Sequence, residues 1–196
     1  MYKLCKTEQS ARRQKEIEQA LFNALSKKSY ENITITELCE NLGMPRKTFY
    51  RYFDSKDDAL YALIEHTMLD YPGFHAENTD THRTLKKELE QYFTFWQEKK
   101  QFLDIFNKNG MLSRITEVSL SFPIKDMVSL SKFLPDDNEV VRKKIFEFVV
   151  CGLTYQMISW YIEGFKISPA DMATIACRMV SRPLFPDLDK MGTLSE

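Results

Sequence analysis

Along nearly the whole chain, apolar residues recur at spacings of three and four, and no run of alternating β-branched residues is bracketed by Asn-Gly or Gly-Asn turns. That periodicity confines the fold to packed helices, an all-α protein. Ile17, Ala20, Leu21, Ala24 and Leu25 form one apolar stripe on a helix predicted over 12–27. Arg12, Arg13 and Lys15 stand at its start, where the macrodipole favours acids, so an external anion nearby would relieve them. Further helices are predicted over 45–53, from Asp54 or Ser55 through Ala59, Leu60, Leu63, Ile64 and Met68, and over 84–98, 101–107, 111–121, 138–163 and 168–181. Asn109-Gly110 and Gly164 end helices, and Ser168, Pro169 and Asp171 open the last one. Tyr71-Pro72-Gly73 and the polar stretch through His82 read as a linker within 71–83, between a small N-terminal module and a larger C-terminal one. Pro123 and Pro135 punctuate the later chain, and the tail after Arg182 reads as irregular.

With 43% hydrophobic and 28% charged residues and only 6 Gly and 7 Pro in 196, the composition is globular and excludes collagen-like or low-complexity chains. The most apolar run, 148–162, contains Thr154, Gln156 and Ser159 and stops at Glu163, short of the roughly 20 residues a bilayer crossing needs, so no membrane span is expected. The first residues hold no apolar signal core. Cys5, Cys39, Cys151 and Cys177 form no C-x-x-C pair and read as small buried thiols in a reducing compartment, so the cytoplasm is the expected location.

The net charge of -1 hides a split. Residues 1–56 carry 11 Lys/Arg against 7 Asp/Glu, whereas 57–196 carry 16 against 21. A basic first quarter on an acidic remainder suits a segment that meets a polyanion, although a solvated surface would look the same. The local pattern sharpens the choice. Thr34-Ile35-Thr36-Glu37 has the form of a capping box, in which the Thr34 hydroxyl and the Glu37 carboxylate satisfy free N–H groups at a helix start. Leu38, Cys39 and Leu42 are its apolar side. Gly43 ends this short helix in a left-handed conformation, and Pro45 fits the first turn of the next. That next helix carries Arg46, Lys47, Thr48, Tyr50, Arg51 and Tyr52 around just two apolar positions, Phe49 and Phe53. A capped helix, a glycine corner and a polar, cationic second helix describe a helix-turn-helix over 34–53. Arg or Lys offers donors to guanine in the major groove, while hydroxyls fix register on phosphates.

At these residues the sequence resembles the tetracycline-repressor (TetR) family of bacterial regulators. The run 35–56 follows the family's second and third helices and the entry to its fourth, most diagnostically in Thr48-Phe49-Tyr50-Arg51-Tyr52-Phe53 followed by Ser55-Lys56. The C-terminal half is also similar, through 103–110 and 160–164, to a group of such regulators from Firmicutes. The resemblance implies an N-terminal DNA-binding domain over 1–55 and a C-terminal effector-binding and dimerisation domain over 56–196. It implies a homodimer on a palindromic double-stranded operator, released by an unidentified small-molecule effector. It assigns Thr34 and Thr48 to phosphate contacts, Tyr50, Tyr52 and Lys56 to further backbone contacts, and Arg46 and Lys47 to base edges. Leu38, Phe49 and Phe53 match the module's core. Pro45, where the family often has a capping Ser, and Lys47, in place of a residue often small, depart from the pattern, and Lys47 is expected to add nonspecific, salt-sensitive affinity. A TetR-fold adaptor or co-activator acting through a protein partner is the alternative function.

In the C-terminal half, Phe93, Trp96, Phe102, Phe106, Met157 and Trp160 could line an apolar effector pocket, but their helical spacing favours plain core. Phe148, Gly152, Tyr155, Gln156 and Ser159 lie on a helix apolar over much of its circumference, which predicts burial between the domain core and a second subunit. His66, His75 and His82 share no ligand spacing, so no metal is expected. No cofactor is expected either. Nucleophile elbow, P-loop, G-x-G-x-x-G and H-E-x-x-H motifs do not occur, and Asp57-Asp58 and Asp136-Asp137 read as helix-start residues, so no enzymatic activity is expected.

Overall fold

A computed structural model describes residues 7–72, 84–122, 133–134 and 138–181. Cys5, most of the expected linker with His75 and His82, Pro123, Pro135, the Asp136-Asp137 pair and the tail after Arg182 lie outside them. The described residues form helices and turns: α1 (Glu8–Lys27), α2 (Ile35–Asn41), α3 (Arg46–Phe49), α4 (Lys56–Leu69), α5 (Leu85–Glu98), α6 (Lys100–Lys108), α7 (Leu112–Ser121), α8 (Glu139–Ile162) and α9 (Pro169–Ser181). A 3₁₀ turn, Tyr30–Asn32, connects α1 to α2.

Side-chain caps explain where most of these helices start. Thr7, Thr34, Ser55, Thr84 and Asn138 each accept a hydrogen bond from the backbone N–H three residues on, and Ser168 does the same for Asp171. The Thr7 cap corrects the first helix. It begins at Glu8, which puts an acid in the first turn, and Arg12 and Arg13 fall in the second turn, where both pair with Glu16. The expected cost of a basic lead-in is therefore absent.

Packing joins the described helices from α1 to α9 into one core. Helix α4 lies between α1 and α7 and buries Ala59, Leu60, Ala62, Ile64 and Met68, while α5 packs most extensively on α9 and α7 on α8. Ile17, Leu21 and Leu25 of α1, with Leu38, Phe49 and Phe53, belong to the same buried cluster as Phe93, Trp96, Phe102 and Phe106. The division expected at residue 55 falls just before α4, the helix that carries this core from one part to the other. Its contact with α1 includes a titratable tie: Glu18 is buried, and both its carboxylate oxygens lie 2.9–3.0 Å from His66 Nδ1.

The Glu18 hydrogen bond and charge hold His66 above the ordinary imidazole value of 6.5, against the opposing effect of burial. A group whose pKa rises on folding stabilises the native state below its unfolded pKa, and that contribution is lost as pH climbs through the folded value. Urea midpoints of the chain are thus expected to fall from pH 6 to pH 8 more steeply than those of His66→Gln. Parallel profiles would remove His66 from the α1–α4 contact.

Two expectations about side chains are corrected. Cys39 is buried, and burial pushes its thiol up, but Cys177 is half-buried and Cys151 is exposed, because it lies on the outward face of α8. Helix α8 itself, 24 residues with a mean hydropathy of 1.3 over its most apolar window, is long and apolar enough to cross a membrane, which the shorter apolar run did not suggest. One face of it packs into the core, with Phe146, Val150, Leu153, Met157 and Trp160 buried.

Candidate nucleic-acid interface

The corner between α2 and α3 is built by local bonding. The Thr34 hydroxyl accepts from Glu37 N–H at 3.2 Å, the first half of the expected capping box. The second half differs: the Glu37 carboxylate bonds to the Lys28 ammonium, which holds Glu37 below the usual carboxylate range. At the far end Gly43 N–H donates to Glu40 O and Met44 N–H to Cys39 O, the paired bonds of a Schellman ending. Gly43 sits at φ +58°, a conformation that L side chains rarely adopt, so this corner demands glycine.

Helix α3 starts one residue later than expected, because Pro45 has an extended backbone (ψ 145°) and serves as the N-cap rather than the first helical residue. It also ends earlier, at Phe49. From there Arg51 N–H bonds to Thr48 O and Tyr52 N–H to Phe49 O, tighter turns mixed with one α-type bond from Phe53 N–H to Phe49 O, before α4 opens at Ser55. Phe49 and Phe53 are fully buried with ring centroids 5.5 Å apart, and Leu38 is buried beside them. Anchoring at positions 49 and 53 leaves 46, 47, 50 and 51 to face outward.

Arg46, Lys47 and Tyr50 are exposed, as is Thr34, the N-cap of α2, and Thr48 and Tyr52 are half-buried. Arg46 Nη2 donates to the Tyr50 hydroxyl at 3.2 Å, and its guanidinium carbon lies 5.9 Å from the Tyr50 ring centroid, so the tyrosine orients the arginine. Arg51 was not among the expected contacts, yet it is exposed on the turn after α3 and adds a third cation beside Arg46 and Lys47. The four-residue step between Phe49 and Phe53 was the signal that could have found it. Lys56 is engaged within the module: its ammonium donates to Tyr30 O at 2.6 Å and to Ile33 O at 2.8 Å.

The six residues considered for an effector pocket are all buried, and five of them pack in ring pairs. Phe93 meets Trp160 edge-on at 5.6 Å, Trp96 lies 6.4 Å from Phe102, Phe102 stacks on Phe106 at 4.1 Å, and Met157 is fully buried. Two described cavities of about 330 Å³ lie elsewhere, one between α1 and α2 at Asn23, Lys27 and Glu37, the other between α4 and α7 at Asp57, Tyr61, Arg114 and Glu117. On α8, by contrast, Phe148 and Tyr155 are 72% and Ile162 65% exposed, with Gly152 open between them and Gln156 and Ser159 at the edge of the face. Ile175, Met179 and Val180 of α9 are exposed as well, and Gln156 Nε2 lies 3.0 Å from Met179 Sδ, which places the two apolar faces side by side.

Residues 19–63 match the family of bacterial regulatory proteins of the tetR type. No curated protein matches the chain in sequence. Among solved structures, a tetR-family transcriptional regulator from Streptomyces coelicolor is similar with a TM-score of 0.54 and 15% identity, over 87% of this chain and 79% of that one. The fatty acid degradation regulator FadR from Bacillus halodurans is similar with a TM-score of 0.56 and 13% identity, over 92% and 98% of the two chains. At these identities the likeness is one of fold. Residues 19–63, which hold the glycine corner and the outward cations of α3, are thus a module that matches the tetR family of bacterial regulatory proteins, in a chain whose described residues share an all-helical fold with these regulators.

Proposed function

We propose that the chain is a repressor that binds a palindromic operator as a homodimer and is released when a small molecule shifts its C-terminal body. The observation that carries the reading is the short α3, fixed from below by Phe49 and Phe53 and presenting Arg46, Lys47, Tyr50 and Arg51 outward. Such a helix can lay Arg46 against base edges while Thr34, Thr48, Tyr50 and Tyr52 hold phosphates. The unpartnered apolar face of Phe148, Tyr155 and Ile162 is the surface a second copy would cover. Recognition helices of such a dimer must stand about 34–36 Å apart or at a multiple of that, so an effector need favour only a wrong separation to weaken binding.

Arg46→Ala is expected to cost roughly 1–3 kcal/mol of operator affinity and to relax one position of the site. Lys47→Ala is expected to weaken all sequences alike and to reduce the salt dependence by about one phosphate contact. Fluorescence anisotropy against a panel of single-base operator variants at two salt concentrations separates the two outcomes. Unaltered specificity in Arg46→Ala would take Arg46 out of base readout.

A further inference from the structure

The connection between α1 and α2 is held by side chains from distant parts of the chain. Tyr30 N–H donates to Asn109 Oδ1 at 3.0 Å, and the Tyr30 carbonyl accepts from Lys56. The Lys56 ammonium also sits 4.1 Å from the centroid of the Tyr30 ring, whose hydroxyl donates to Asp57 at 3.0 Å. Asn109 closes the end of α1 too, donating from Nδ2 to Leu25 O at 3.2 Å and to Ile105 O at 2.8 Å, while Lys108 Nζ reaches Ser26 O at 3.3 Å. A helix leaves its last four carbonyls without partners of its own. Two of those on α1 are met from the corner between α6 and α7. Asn109 thus uses its acceptor and its donors at once, on α1, on the 3₁₀ turn and on its own helix, which fixes its rotamer.

The turn at Tyr30 leads directly into the Thr34 cap and α2. We infer that Asn109 is a positioning residue for DNA binding: from the α6–α7 corner of the body it locks the α1–α2 connection, and so sets the angle at which α2 and α3 are presented. The inference rests on the dimeric operator reading, because only a pair of modules at fixed separation makes that angle matter. A displacement of the α6–α7 corner is transmitted through Asn109 directly to the turn that leads into α2.

The test uses the full chain with spin labels on a ketone-bearing amino acid introduced at the exposed positions Glu40 of α2 and Lys86 of α5. Asn109→Ala is expected to broaden the distance distribution between them. It is also expected to reduce the preference for the cognate half-site spacing over spacings one base pair longer or shorter by about tenfold, the loss of little more than one hydrogen bond. Affinity for a random-sequence duplex is expected to stay the same, since the cations of α3 are untouched. Asn109→Asp has the same shape, keeps the acceptor for Tyr30 N–H and removes the donors; it serves if the alanine variant does not fold, with the same direction of effect. An unchanged distribution in a folded variant, or a broadened one with spacing preference intact, overturns the role of Asn109. A parent chain without spacing preference overturns the operator reading and this role together, and is recognised because the parent itself fails.

Discussion

Phe49→Ala is expected to destabilise the protein by about 3–5 kcal/mol, the usual range for removing a buried aromatic ring from a packed core. Phe49 is fully buried, contacts Phe53 at 5.5 Å and Tyr50 at 5.6 Å between ring centroids, and is the last residue of a helix only four residues long. So short a helix has little stability of its own, because nucleation is costly and few ladder bonds follow. The ring therefore holds α3 in place, and operator affinity is expected to vanish along with the lost stability. Urea unfolding of the variant reads the first effect and anisotropy the second. A midpoint equal to that of the parent would mean that α3 is held by something other than Phe49.

Tyr155→Glu is expected to convert a dimer into monomers. Tyr155 is 72% exposed in the single chain, so the change costs the monomer little, within about 0.5 kcal/mol. In a dimer sealed by Phe148, Tyr155 and Ile162, the carboxylate would be buried without a partner, at a cost of about 3–5 kcal/mol. That raises the dimer dissociation constant by at least about a hundredfold. Light scattering at micromolar concentration detects it, and loss of operator binding is expected to follow. A dimer that persists would put the interface on another face.

Features set by near neighbours in the chain were legible in the sequence. The Thr34 cap, the Gly43 corner, the Asn109-Gly110 break and the opening of the last helix at Ser168 each depend on bonds spanning three to five residues, and each stands where expected. Where two local options competed, the reading went astray. Pro45 can begin a helix or cap it, and the tight bonds after Phe49 shortened α3 in a way that apolar spacing does not encode. Glu37 turned to Lys28 because the end of α1 lies beside α2, a fact of tertiary packing. The aromatics of α5, α6 and α8 obey one periodicity whether they enclose a ligand or one another, so spacing favoured plain core without deciding it. Asn109 read as a helix break and nothing more, since its partners on the 3₁₀ turn and α1 lie 79 and 84 residues away.

The central claim, that α3 reads an operator, is tested most directly by selecting bound duplexes from a random DNA library with the full-length protein, then measuring anisotropy on the selected sequence at two salt concentrations. The account predicts an enriched inverted repeat whose half-sites lie about one helical turn, 34–36 Å, or a multiple of it apart, bound far more tightly than random duplex at both salt concentrations. Absence of any enriched sequence, with weak binding that fades as salt rises, would contradict it.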